Sequence, residues 1–84
     1  MESFPNPSAD HIHIRYRVAD RMKVTLKIYD VTGKVVATPV NNETRNAGSY
    51  DLNYSTANLS NGVYYATLAN NGQTVQSLKL SVTK

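Results

Sequence analysis

His11 and His13 stand two residues apart, so on an extended strand both imidazoles project from one face, a spacing that zinc accepts. Asp10 is the one carboxylate beside them and no third ligand is visible. Arg15 and Arg17 share their parity and place positive charge where a cation would sit. The pair therefore reads as two exposed histidines, with no metal. General acid–base catalysis needs paired titratable groups in a pocket, whereas the six carboxylates fall in turns or lie scattered along outer strand faces. The sequence predicts a non-enzyme that needs no cofactor. No Gly-rich loop precedes a helix, and aromatic residues are not interleaved with Arg and Lys in a base-stacking pattern, so phosphate cradles and nucleic-acid partners are not expected.

Two further constellations could bind rather than catalyse. Arg15 and Arg17 point the same way as the histidines, Lys23 and Lys27 oppose Val24, Leu26 and Ile28, and Arg21 lies between the two runs. If the runs form one hairpin, five of the nine basic residues crowd its outer face. Such a face is either solvated charge that keeps strand edges apart or a surface for an anionic partner. Six tyrosines in a small β-domain raise carbohydrate binding as an alternative function, because flat rings stack on sugars while the hydroxyl hydrogen-bonds. Tyr64 and Tyr65 are consecutive, so one of them faces outward. Asn42, Asn53 and Asn58 open glycosylation-like triplets, which carry little weight in so Asn- and Ser-rich a chain.

The elements that must position these groups fit one domain, residues 1–84, around one core. A chain of 84 residues buries only about 60 to 65 per cent of its unfolded surface. There is no cysteine to add a disulfide or thiolate site, and the net charge of +3 is mild. No apolar run reaches the roughly 18 residues of a membrane-spanning helix, and Met1-Glu2-Ser3-Phe4 lacks the regions of a signal peptide. If the protein is secreted, the expectation is a piece cut from the end of a longer precursor.

Ser3 to Ser8 carries two prolines around Asn6 and reads as an extended or turn-forming lead-in, with Phe4 plugging one end of the core. His11 to Val18 and Lys23 to Tyr29 alternate strictly and read as strands. Asp30 to Gly33 is a turn in which Asp bonds nearby backbone. Lys34 to Val40 is a strand ended by Pro39, and the polar run Asn41 to Asn46 a surface loop. Gly48 to Tyr54 places Tyr50, Leu52 and Tyr54 on one side. Ser55 to Ser60 is a tight turn that tucks Leu59 inward. Gly48-Ser49-Tyr50 is echoed by Gly62-Val63-Tyr64, two strands starting alike.

Leu59 to Lys84 gives the strongest signal. Two strand-like runs flank Asn70-Asn71-Gly72, residues that tolerate the positive φ of a primed hairpin turn. The second run sets Leu78, Leu80 and Val82 against Ser77, Lys79, Ser81 and Thr83. With six or seven short strands and no amphipathic helix, the fold class is all-β, an immunoglobulin-like antiparallel β-sandwich; a small barrel is the other closure. Its inner faces are Ile12, Ile14, Tyr16, Val24, Leu26, Ile28, Leu52, Leu68, Leu78 and Leu80. Tyr16, Tyr29, Tyr50 and Tyr64 stand in for a disulfide and Trp.

Phe4-Pro5-Asn6-Pro7 followed by Asp10 and Ile12-His13-Ile14, then Ile28-Tyr29-Asp30-Val31-Thr32-Gly33-Lys34-Val35-Val36, and finally Leu59-x-x-Gly62-x-Tyr64 with Lys79-Leu80-x-Val82-x-Lys84 together resemble the C-terminal sorting domain of type IX secretion cargo. The resemblance spans nearly the whole chain. It implies a secretion address that follows an N-terminal cargo domain, directs it across the outer membrane of a double-membraned bacterium and is usually removed by a surface sortase. Its implied partners are the outer-membrane translocon, a shuttle protein and the sortase, and its implied location is the cell surface or beyond. Carried over residue by residue, machinery recognition falls on Gly62, Tyr64, Gly72, Lys79, Leu80, Val82 and Lys84, while Pro5, Asn6 and Pro7 mark the domain's entry. The last strand is expected at a sheet edge, open to strand addition by a receptor or to self-association, with Lys84 reporting the chain's end.

Overall fold

Strict alternation of apolar and polar residues commits each long strand to one buried face, and two such sheets must then close on each other. The computed structural model describes residues 1–5 and 10–84; Asn6 and Pro7 of the entry motif lie outside them. Its strands are β1 (Glu2–Phe4), β2 (His11–Val18), β3 (Met22–Tyr29), β4 (Val35–Arg45), β5 (Gly48–Ser55), β6 (Gly62–Asn70) and β7 (Gln73–Val82). They form two antiparallel sheets, ordered β1-β2-β5 and β4-β3-β6-β7. Lettered in chain order these are ABE and DCFG. The fourth strand thus sits beside the third rather than in the first sheet, as it would in the constant-type immunoglobulin arrangement.

One hydrophobic cluster fills the space between the sheets. Ile12, Ile14, Tyr16 and Val18 face Val24, Leu26, Ile28, Tyr64, Ala66, Leu68, Leu80 and Val82, all buried. Each fully buried Leu or Ile contributes about 1.5–3 kcal/mol over its exposed state, which is what a disulfide-free chain of this size relies on. Leu52 and Leu78 pack against the cluster only half-buried, at its margins. Leu59 is tucked in as expected, its N–H donating to the Thr56 carbonyl at 3.0 Å in a single turn.

Four expectations need correction. β2 and β3 are not a hairpin: residues 19–21 carry the chain from one sheet to the other. β4 does not end at Pro39, and residues 41–45 are no loop. The strand runs on to Arg45, pairing Glu43 with Val24, Thr44 with Lys23 and Arg45 with Met22. It can do so because β4 is an edge, where a missing N–H is tolerated, and because its register shifts absorb the irregularity. Phe4 is no plug. It is 39% exposed on the outer surface of the small sheet, its ring stacked on His13 at 5.3 Å. Tyr29 shares the outward parity of Lys27 and lies on the outer face of the large sheet, so the inner rings are Tyr16, Tyr50 and Tyr64.

The echoed Gly-x-Tyr has a structural meaning. At each site the tyrosine hydroxyl donates to the backbone carbonyl four residues upstream, Tyr50 to Asn46 at 2.6 Å and Tyr64 to Ser60 at 2.7 Å. These are tyrosine corners, which fix the angle at which a strand enters a sandwich. Gly62 and Gly48 take φ of 152° and 153°, a backbone that side chains rarely adopt. Tyr50 also stacks on Tyr16 at 5.4 Å, joining β5 to β2.

Candidate functional site

The closing hairpin forms as its turn residues dictate. Asn70 pairs with Gln73 across a two-residue loop in which Asn71 and Gly72 take φ of 53° and 87°, the geometry of a type I′ turn. Asn71 is held a second time: its N–H donates to the Lys23 carbonyl at 2.7 Å, and its Oδ1 accepts the Lys23 N–H at 3.0 Å. The turn is thereby clamped to β3. β7 is the outer strand of the large sheet, and β6 is its ladder partner along its length, from Gly62↔Val82 to Asn70↔Gln73. Beyond Val82 the chain stays attached. The Lys84 N–H donates to Asn61 Oδ1 at 2.9 Å, and Lys84 Nζ donates to the Ala57 carbonyl at 3.1 Å. Lys84 thus closes one wall of a cleft of about 500 Å³ that Asp10, His11, Ser55 and Ala57 also line.

The seven residues carried over for recognition do not form one patch. Tyr64, Leu80 and Val82 point into the core at 7%, 1% and 3% exposure, so their side chains hold the hairpin rather than meet solvent. Gly72 shapes the turn at one end of the hairpin, and Gly62 and Lys84 lie at the other. Lys79 and Lys84 are the members with exposed side chains. Of the entry motif, Pro5 is exposed beside Phe4.

The five basic residues are divided by the sheet crossing. Arg15 and Arg17 lie on the outer face of the small sheet, Lys23 and Lys27 on that of the large one, and Arg21 in the connection. No single hairpin face gathers them. Arg15 is spent on the entry strand: it reaches Glu2 Oε1 and Asp51 Oδ2 at 3.6 Å each and lies over the Phe4 ring at 5.2 Å. His13 completes the cluster, with Nδ1 3.4 Å from Asp51 Oδ1. β1 is thus fastened through Glu2, Phe4, His13, Arg15 and Asp51. Sequence reasoning missed this cluster, whose signal is the opposite charges at Glu2 and Arg15, partners in the β1–β2 ladder. Among the described residues no group of three His, Cys, Asp or Glu side chains could hold a metal ion.

Two ionisable groups are perturbed. Asp30 is held below the usual carboxylate range by the Thr32 hydroxyl at 2.6 Å, helped by the backbone N–H groups of Lys34 and Thr32, as the turn reading anticipates. Arg45 is pushed up by hydrogen bonding to the Tyr16 hydroxyl, with Glu43 at 3.3 Å adding to it. Arg45 also lies over the Tyr50 ring at 5.9 Å, tying the end of β4 to the tyrosine pair of the other sheet.

This arrangement offers a rim strand, a clamped turn and a fastened entry strand. No curated protein and no solved structure matches the chain. Residues 2–83, nearly all of it, match the family described as the secretion system C-terminal sorting domain. The chain belongs to that family, the C-terminal signal by which type IX secretion cargo, fused ahead of it, engages the export machinery and crosses the outer membrane to the cell surface or extracellular space.

Proposed function

We propose that residues 1–84 act as one non-catalytic sorting domain, read by the type IX translocon and its shuttle protein through β7 and afterwards cut from the cargo by the surface sortase. β7 serves as the strand to which a receptor adds its own. Lys79 and Lys84 supply side-chain contacts, Gly62 and Gly72 set the hairpin's shape, and Tyr64, Leu80 and Val82 seat it on the core. Pro5, Asn6 and Pro7 mark where the cargo linker passes into the domain. The observation that carries this reading is the rim position of β7, with β6 as its ladder partner in the sheet. Strand addition draws affinity from main-chain hydrogen bonds and specificity from alternate side chains, and an edge that carries Lys79 and, just past its end, Thr83 suits both.

The test places residues 1–84 behind a periplasmic reporter in a strain carrying the type IX machinery. The fusion is expected at the cell surface, and removal of residues 79–84 is expected to abolish delivery. Because that deletion also removes Leu80 and Val82 from the core, Lys79→Glu is run beside it with a circular dichroism spectrum to establish that the domain is folded. Surface delivery undiminished by either change would sink the assignment to β7.

A further inference from the structure

The outer face of the large sheet carries a row that crosses all four strands. Val35 of β4 pairs with Tyr29 of β3, Tyr29 with Tyr65 of β6, and Tyr65 with Lys79 of β7. At about 4.8 Å per strand the row spans roughly 14 Å. Four of the six exposed large hydrophobic side chains among the described residues lie in or beside it: Val31 is 70% exposed, Val35 42%, Val36 38% and Tyr65 42%. The charge around the row has one sign. Lys27 lies on the same face next to the row, Lys34 precedes Val35 and Lys79 ends it, while β3, β6 and β7 contain no carboxylate. Asp30, the nearby acid, is turned into its own loop, where Oδ1 accepts from the Thr32 hydroxyl and from the N–H groups of Thr32 and Lys34.

From this juxtaposition we infer that the Val35-Tyr29-Tyr65-Lys79 row is a docking surface for a protein of the export machinery, whose complementary face is an apolar slot bordered by carboxylates. The inference rests on the sorting reading and extends it from the rim to the adjoining face, since Lys79 belongs to both. Tyrosine and valine at the centre with lysine at the border is the anatomy of a protein interface, an apolar core within a polar rim. The valines offer no hydrogen bonds to a sugar, and Val35 and Tyr65 lie on strands rather than on a projecting loop that could enter a bilayer.

The test uses the same reporter fusion. Tyr65→Ser with Val35→Thr is expected to lower surface delivery about tenfold, and Lys27→Glu with Lys34→Glu to do likewise, while arginine at the same two lysines preserves it. Asn53→Ser, at an exposed position on the outer face of the small sheet, is expected to leave delivery unchanged. If the Tyr65 and Val35 variant melts well below the parent, Val31→Asn at the exposed turn carries the test instead. Parent-level delivery by the row variants, with delivery still lost on removing residues 79–84, overturns this inference and leaves the sorting reading standing. A parent fusion that never reaches the surface overturns the reading itself. Two other outcomes also overturn the inference: row-dependent sedimentation of the purified domain with phosphatidylglycerol vesicles makes the surface a lipid contact, and a row-dependent dimer in sedimentation equilibrium makes it a self-contact.

Discussion

The two rims of the large sheet are built to opposite rules. β4 and β7 are both outer strands of hairpins, and both carry a buried valine or leucine inward. β4 is broken by three register shifts, contains Pro39, and puts Asn42 at a φ of 51° with its N–H turned to Thr25 Oγ1 at 3.0 Å. Its far end carries the Glu43–Arg45 ion pair. Every one of these features hinders another strand from pairing along it. β7 has a single register shift near its start, no proline and one lysine over ten residues. Edge protection is therefore uneven: β4 carries several features that hinder strand addition, and β7 carries few. A merely unguarded sheet would have left both alike.

The sharpest way to break this comparison is to unseat each rim. Leu80→Ala on β7 is expected to cost about 2–5 kcal/mol in chemical denaturation, whereas Val40→Ala on β4 should cost roughly 1–3 kcal/mol. The size-matched Val82→Ala on β7, also at 3% exposure, decides the point: a loss equal to that of Val40→Ala would mean that the rims are anchored alike. Next in size is the β7 turn: Gly72→Ala places a side chain at a φ of 87° and should cost about 1–2 kcal/mol, read from the shift in denaturant midpoint.

A smaller effect separates the hairpins by pH. The β4 hairpin is closed by Asp30, whose carboxyl is lowered in the fold, chiefly by the Thr32 hydroxyl; the β7 hairpin is closed by the amide of Asn71, which does not titrate. A depressed carboxyl contributes its stability fully above the unfolded value near 3.8 and loses it as pH falls through the lower folded value. Hydrogen exchange below pH 3.8 should accordingly release β4 before β7, and Asp30→Asn should remove that order. Smallest is the effect of Pro39→Thr, which restores an edge N–H. A weak concentration-dependent association in light scattering is expected, and none would mean that the bulges alone guard β4.

Much of this was legible in the sequence because period-two alternation reports a strand's buried face without regard to its neighbours. His11 to Val18, Lys23 to Tyr29 and the hairpin around Asn71-Gly72 are readable for that reason. Alternation says nothing about which sheet a strand joins, so the crossing after Val18 was invisible and the basic residues of β2 and β3 were set on one face. Pro39 and the polar run after it hide the length of β4, because they are breakers in a central strand yet compatible with an edge. The burial preference of Phe points Phe4 to the core, but its ladder partner His13 faces outward and the pair stacks there. The Gly-x-Tyr echo marks two strands that start alike, and the fold adds the bond from each tyrosine back to Asn46 or Ser60. For recognition, the family motif named residues, and coordinates were needed to separate those that shape the hairpin from those that meet solvent.

The fastening of β1 has a mechanical side. A pull on polypeptide fused ahead of Glu2 meets a ladder of three residue pairs and one exposed side-chain cluster before it reaches β2, which is paired along its whole length with β5. Tension would strip the three paired residues of β1 first. The pull reaches β2 only after that, and there it meets a ladder of eight residue pairs with β5, so a passenger that tugs in transit frays the entry strand before it disturbs the rest of the label.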